Sequence, residues 1–249
     1  MSSEAELKNS ETFGLDSDKY HLYRPSYPEE LSSALARLAS AQNKALDIGA
    51  GNGQFSIQLL KYFEDVLAAD LQLNQISLAD DSLLRCVCKA EELCFKDDSF
   101  DLITVAQAVH WFNLEKFYPQ VKRLLSPGGI FAVFGYSFFS IDQSIDTVIK
   151  PFLELIDPYW SEGNRLLMNG YRELPFPFEE VHFEPMEIRV SLTVPELLGY
   201  LGTWSAVKRY EKAKGSESLS ILARNLDSLW PSQTRNDVSM DIHLRAGRL

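Results

Sequence analysis

A chain of 249 residues with 45% hydrophobic content is long enough to bury a full core as one domain with embellishments. Its formal charge of −11 argues against a nucleic-acid partner, because neutralising phosphates takes clustered Lys and Arg. The longest apolar run, 130–141, is interrupted by Gly135, Tyr136 and Ser137 and falls short of the roughly 20 residues that a membrane span requires.

The N-terminus is acidic and polar, which predicts no signal or transit peptide. Three cysteines, Cys86, Cys88 and Cys94, form an odd set without a signal, and this points to a reducing, cytoplasmic setting. They lack a fourth ligand and a suitable loop, so no metal is expected. Cys86 and Cys88 share one face of a predicted strand and read as small apolar packing groups.

Residues 1–12 read as a disordered tail and 13–249 as a single domain. Its first part, 13–43, is a lid and a helix. The lid is an extended aromatic segment with Tyr20, Arg24 and Tyr27, in which Pro25 and Pro28 keep the residues before them out of helical geometry. Arg24 could clamp a carboxylate with two parallel hydrogen bonds. From Glu29 to Ala41, Leu31, Ala34, Leu35 and Leu38 recur at helical spacing and predict an amphipathic helix.

A cofactor-binding core is expected over 44–136. An apolar strand, Lys44 to Ile48, runs into Gly49, Gly51 and Gly53 and then a helix to Phe63. Glycine is needed where the backbone turns sharply and approaches a ligand without a Cβ in the way. A strand, a tight glycine turn and a helix N-terminus make a nucleotide-binding edge. The spacing is G-x-G-x-G, with Gln54 where a dinucleotide fingerprint wants its third glycine, which disfavours a nicotinamide-dependent oxidoreductase. Asp47 places a carboxylate at the strand end, suited to an ammonium or hydroxyl group. A second strand, 66–70, ends in Asp70 about 20 residues past the glycines, where such sites place an acid on the ribose hydroxyls; Leu71 follows it.

A third strand is expected over 83–89, with Ala90 and Glu91 just beyond it, and a fourth over 99–107, ending at Gln107. His110 and Trp111 then fall at the carboxyl end of that strand, the ligand-binding edge of open α/β sheets. A helix from Leu114 to Leu125 contains Pro119, which predicts a kink or a late start. Ser126-Pro-Gly-Gly129 reads as a turn, and 130–135 as strand five with Tyr136 at its end.

An aromatic, Arg-containing insertion over 137–178, including Trp160, is expected to cap the carboxyl edge of the sheet. The remainder, 179–249, carries alternating strands at 181–183 and 188–192, a helix over 195–214 with Trp204, another over 216–229, and a last alternating strand, 240–246. A terminal strand without a crossover should pair antiparallel to its neighbour.

This pattern resembles the class I S-adenosylmethionine-dependent methyltransferases, in particular the small-molecule branch that includes trans-aconitate methyltransferases. Asp47-Ile-Gly49-Ala-Gly51-Asn-Gly53 is similar to the family's first motif, Asp70 to its ribose-binding acid, and Ala90-Glu91 to its adenine-flanking loop. Gln107 to Phe112, Ser126 to Gly129, Tyr20 to Pro28 and Leu201 to Ser205 extend the likeness over nearly the whole chain. The resemblance implies an α/β, Rossmann-like, seven-stranded sheet of order 3-2-1-4-5-7-6 with strand seven antiparallel. It implies S-adenosyl-L-methionine as cofactor, S-adenosyl-L-homocysteine as product, and a small-molecule acceptor such as a carboxylate or hydroxyl. The chain is expected to be a monomer or homodimer.

The cofactor residues so implied are Tyr20, Arg24, Asp47, Gly49, Gly51, Gly53, Asp70, Leu71, Ala90, Glu91 and Gln107. Tyr27, Trp111, Tyr136, Trp160 and Trp204 are the candidates for the acceptor pocket. Aromatic faces at Tyr20, Trp111 and Tyr136 could also stabilise a sulfonium by about 0.5–2 kcal/mol. A carboxylate acceptor needs no base; for a hydroxyl or thiol, His110 is the candidate general base. A non-catalytic, methyltransferase-like binding protein is the alternative of a different class.

Overall fold

A computed structural model of the chain describes residues 23–215 and 217–249; the expected tail and Tyr20 lie outside them. The chain separates into two compact units. The larger comprises Ser26–Ser137, Leu166–Met186 and Ile242–Leu249. The second comprises, among the described residues, 23–25, Phe138–Arg165 and Glu187–Asp241.

The larger unit is built on the parallel strands β1 (Lys44–Ile48), β2 (Asp65–Asp70), β3 (Leu84–Val87), β4 (Phe100–Ala106) and β5 (Leu125–Tyr136). The strand order is β3-β2-β1-β4-β5-β8-β6, where β6 is Glu179–Val181 and β8 is Asn236–Arg248. The expected sheet is therefore present with an eighth strand, β7 (Met186–Leu192), paired to β8 off the main path. As expected of a last strand without a crossover, β8 runs antiparallel to β5, from Ile130 opposite Arg248 to Tyr136 opposite Ile242.

Burial follows position in the sheet. Central β4 is buried on both faces through Val105 and is mostly apolar, its buried Asp101 and Thr104 being hydrogen-bonded. Edge strand β3 is mostly exposed, with Leu84 and Val87 open to solvent. Ser126-Pro-Gly-Gly129 is looped out within β5: Phe100 pairs with Leu125, yet Leu102 pairs with Ile130. Gly128, at φ +78°, takes the left-handed conformation this bulge requires.

Helices cover the sheet by their apolar stripes. In α1 (Glu29–Leu38) Leu31, Leu35 and Ala36 are buried. The expected helix to Phe63 is only α2 (Ser56–Leu59), because bonds to the third residue back (Lys61 to Gln58, Tyr62 to Leu59) then tighten the chain into turns. A single helical turn, α3 (Leu73–Ile76), links β2 to β3. The helix α4 (Leu114–Leu124) buries Phe117, Tyr118, Val121 and Leu124. Its Asn113 cap accepts from Lys116 N–H, and it starts at Leu114, so Pro119 does not delay it.

Asp101 anchors the edge of the sheet opposite the glycine turn. One oxygen accepts from the backbone N–H groups of Asn43 (2.9 Å) and Lys44 (3.1 Å), the other from Ser126 Oγ (2.9 Å).

In the second unit α5 (Gln143–Ile156) is capped by Asp142, which accepts from Ser144 and Ile145 N–H. The helix α6 (Glu162–Met168) follows. The single helix expected over 195–214 is two, α7 (Val194–Gly202) and α8 (Ser205–Lys214). Thr203 breaks it by bonding its hydroxyl back to Tyr200 C=O at 2.6 Å, beside the helix-weakening Gly202. The last helix is α9 (Ser218–Leu226). No helix among the described residues is long and apolar enough to cross a membrane.

Candidate active site

The site grows from the end of β1. Gly49 and Ala50 both donate their N–H to Ala69 C=O, at 2.8 and 3.1 Å, which turns the chain over the carboxyl end of β2. Gly49, Gly51 and Gly53 have φ of +69°, +57° and +79°, the left-handed region where a side chain is strained.

Their surroundings differ. A Cβ on Gly49 would lie 2.5 Å from Ala108 Cβ, and one on Gly53 2.9 Å from Leu83 Cδ1. A Cβ on Gly51 would meet nothing within 4 Å among the described residues. The outer glycines let neighbouring elements close in on the turn, while the middle one leaves a face open.

Asp70 points at that turn. One carboxylate oxygen accepts from Gly51 N–H at 2.8 Å and the other from Gln72 N–H at 2.8 Å. Burial raises its pKa, opposed by the hydrogen bonds from Gln72, Gly51 and Leu71 N–H. A carboxylate has about four acceptor positions, so beyond the N–H groups of Gln72, Gly51 and Leu71 a position remains for a ligand's hydroxyl. Leu71 beside it is 56% exposed. In the turn itself Asn52 is 8% exposed, and its buried Nδ2 has no hydrogen-bond partner among the described residues. An open backbone face, an acid with a spare acceptor position and an unpaired amide donor fit an adenosyl group.

Asp47 stands otherwise than expected. It is fully buried, one oxygen accepting from Ser56 Oγ (2.6 Å) and the other from Thr104 Oγ1 (2.8 Å). Burial pushes its pKa up to about 6. Rather than facing a ligand's ammonium or hydroxyl, it ties β1 to β4 and to the start of α2.

The segment after β4 abuts the turn through Ala108 and Phe112, both packed at Gly49. Gln107, at φ +56°, donates its Nε2 to Tyr136 C=O at 2.9 Å. Between Ala108 and Phe112 a 3₁₀ turn, Val109–Trp111, carries His110. The His110 ring lies against Trp111 with centroids 4.7 Å apart, and its Nδ1 is 3.3 Å from the Tyr171 hydroxyl. Burial pushes the His110 pKa down to about 3, so the ring is neutral near pH 7.

Other expected residues have structural partners. Ala90 is buried in the hydrophobic core. Glu91 accepts from Asn113 N–H at 2.7 Å, at the start of α4. Tyr27 packs edge-on against Phe55, Phe134 and Tyr136. In the second unit Arg24 donates its Nε to Thr203 Oγ1 at 3.0 Å and lies over the Tyr200 ring. There Trp204 is buried at 3% exposure, 5.4 Å from Trp160 and 5.5 Å from Tyr200 between ring centroids. Neither Asn52 nor Tyr171 was among the expected site residues. Asn52 lay inside the glycine motif, whereas no spacing rule pairs Tyr171 with His110, 61 residues away.

Comparison with known proteins bears on this geometry. Residues 46–133, from β1 into β5, match the family described as "Methyltransferase domain". A protein of Dictyostelium discoideum named as a methyltransferase is 30% identical over 243 residues, covering 95% of this chain and 92% of that one. A solved type II methyltransferase structure from Anaeromyxobacter dehalogenans superimposes with a TM-score of 0.85 at 36% identity, covering 91% of this chain and 98% of that one. A mitochondrial arginine-hydroxylase of Danio rerio is 28% identical over 67% of this chain and 57% of its own length. The chain is an enzyme of the class I S-adenosylmethionine-dependent methyltransferase family.

Proposed function

We propose that this enzyme moves a methyl group from S-adenosyl-L-methionine to an oxygen of a small acidic acceptor, a carboxylate ahead of a hydroxyl. The observation that carries the cofactor assignment is the Asp70–Gly51 pairing beside the open face of the glycine turn. Asp70 would accept from a ribose hydroxyl, and Asn52 offers its unpaired amide. When bound, the cofactor would supply a methyl on a sulfonium: a lone pair of the acceptor oxygen would form the new O–C bond as the S–C bond breaks and its electron pair stays on sulfur.

The protein's task is then to align and to exclude water, and proximity of this kind is worth roughly 7–11 kcal/mol. A leaving thioether is neutral and asks for no acid. His110, neutral and poorly basic, is ill suited to strip a proton from a hydroxyl, which favours an acceptor that arrives ionised. The net charge of −11 supports a small molecule over a polyanion.

Incubation with methyl-labelled S-adenosylmethionine and a metabolite extract, read by mass spectrometry, tests the proposal. A labelled methyl ester is the expected product. Transfer to nitrogen or carbon overturns the acceptor assignment. Cofactor binding without consumption of the methyl group would return the non-catalytic reading.

A further inference from the structure

Tyr171 holds an unusual place. It follows α6, whose end is closed by Gly170 N–H on Leu167 C=O (2.8 Å) and Tyr171 N–H on Leu166 C=O (2.9 Å). Both residues take left-handed backbone, at φ +64° and +58°. That is ordinary for Gly170 and costly for a tyrosine, on the order of 1–2 kcal/mol. Strain of this kind persists only where the surroundings over-determine it, and it concentrates at functional sites. The ring gained by it is completely buried.

Space for the hydroxyl is provided by Gly135 on β5. A Cβ there would lie 3.2 Å from the Tyr171 hydroxyl, 3.2 Å from Gln107 Oε1 and 2.7 Å from Leu167 Cδ1. Gln107 is itself a non-glycine residue at positive φ. Two strained backbones therefore deliver polar side chains to one missing side chain, next to the segment that carries His110.

Among the described residues, the hydrogen-bonding contact of the Tyr171 hydroxyl is His110 Nδ1 at 3.3 Å. We propose that Tyr171 is a positioning residue: its hydroxyl donates to Nδ1 and fixes His110 in the tautomer with the proton on Nε2. His110 then presents an N–H to the acceptor and does not serve as its base. The opposite assignment, with Nδ1–H donating to the tyrosine oxygen, would leave the fully buried O–H without an acceptor among the described residues. A buried unsatisfied donor is the more expensive arrangement. Burial also raises the Tyr171 pKa, so the hydroxyl keeps the proton it is required to donate.

The donor role toward an acceptor rests on the methyl-transfer reading; the tautomer lock does not. It can be read in the free enzyme by ¹⁵N-resolved NMR of the imidazole rings, needing neither cofactor nor acceptor. The His110 signals are identified by their loss in His110→Gln among the four histidines. The expected wild-type pattern is a protonated Nε2 with an unprotonated, hydrogen-bonded Nδ1. In Tyr171→Phe the Nδ1 resonance should move downfield toward that of a free acceptor nitrogen, and the Nε2 proton should exchange faster. A wild-type ring protonated at Nδ1 overturns the proposal even if the variant does not fold, as does an unchanged Nδ1 resonance in a folded Tyr171→Phe. Either negative result leaves methyl transfer itself standing.

Discussion

The Asp70 carboxylate and the Gly51 N–H, 19 residues apart in the chain, meet at 2.8 Å, so the acid at the end of β2 braces the glycine turn at the end of β1. The same carboxylate would be needed by a ribose. Asp70→Ala is therefore expected to weaken S-adenosylhomocysteine binding at least about tenfold, since a hydrogen bond to a charged group contributes roughly 1.5–3 kcal/mol. Isothermal titration of wild type and variant checks this, and an undiminished affinity would remove Asp70 from the cofactor site.

Gly49 and Gly51 should separate by function. Gly49→Ala drives a methyl to within 2.5 Å of Ala108 Cβ at a positive φ, and overpacking with backbone strain should destabilise the fold by about 2–4 kcal/mol. Gly51→Ala meets open space and should cost only the backbone term, about 1–2 kcal/mol. Its added methyl, however, fills the proposed ligand face and should reduce cofactor affinity more than tenfold. Urea unfolding and calorimetric titration of both variants decide it; matching stability losses would contradict the packing argument.

Asp47 makes a pH prediction. Burial lifts its pKa to about 6, above an unfolded value of about 3.9. Between those values the folded protein binds more protons than the unfolded chain, so stability falls as pH rises through the window and levels off above it. The full benefit is present below pH 4. Asp47→Asn, still able to pair with the Ser56 and Thr104 hydroxyls, should lose this dependence. The stability difference between wild type and variant is expected to shift against wild type by about 2 kcal/mol from pH 4 to 7. Parallel denaturation curves across that range would refute it.

Local rules carried much of the architecture. Largely apolar runs marked the parallel strands β1, β2 and β4, and alternation marked the antiparallel β8, because side-chain period reports which faces are buried. Where they failed, local bonding outweighed helix periodicity: Thr203 bonded back to Tyr200 and split one expected helix into two, and α2 ended after a single turn as the chain tightened. Strand β7 alternates as expected, but its attachment to β8, which made the sheet eight strands, depended on a partner more than 40 residues away.

For the site, the glycine turn and Asp70 were legible because turn and acid lie within one βαβ unit, where covalent distance limits the geometry. Asp47 shows the boundary of that reasoning. Its place at the strand end was evident, but the direction of its carboxylate depended on hydroxyls from Ser56 and Thr104.

By itself the sequence determined the strand–glycine–helix order, the acid that follows it and the charge that disfavours a polyanion, all consequences of residue type and short spacing. Only the tertiary structure decided that Asp47 is a buried tie and that Tyr171 reaches His110. A hydrogen bond across 61 residues leaves no periodic trace in the chain, since it is created when separate elements pack and a side chain is absent at Gly135.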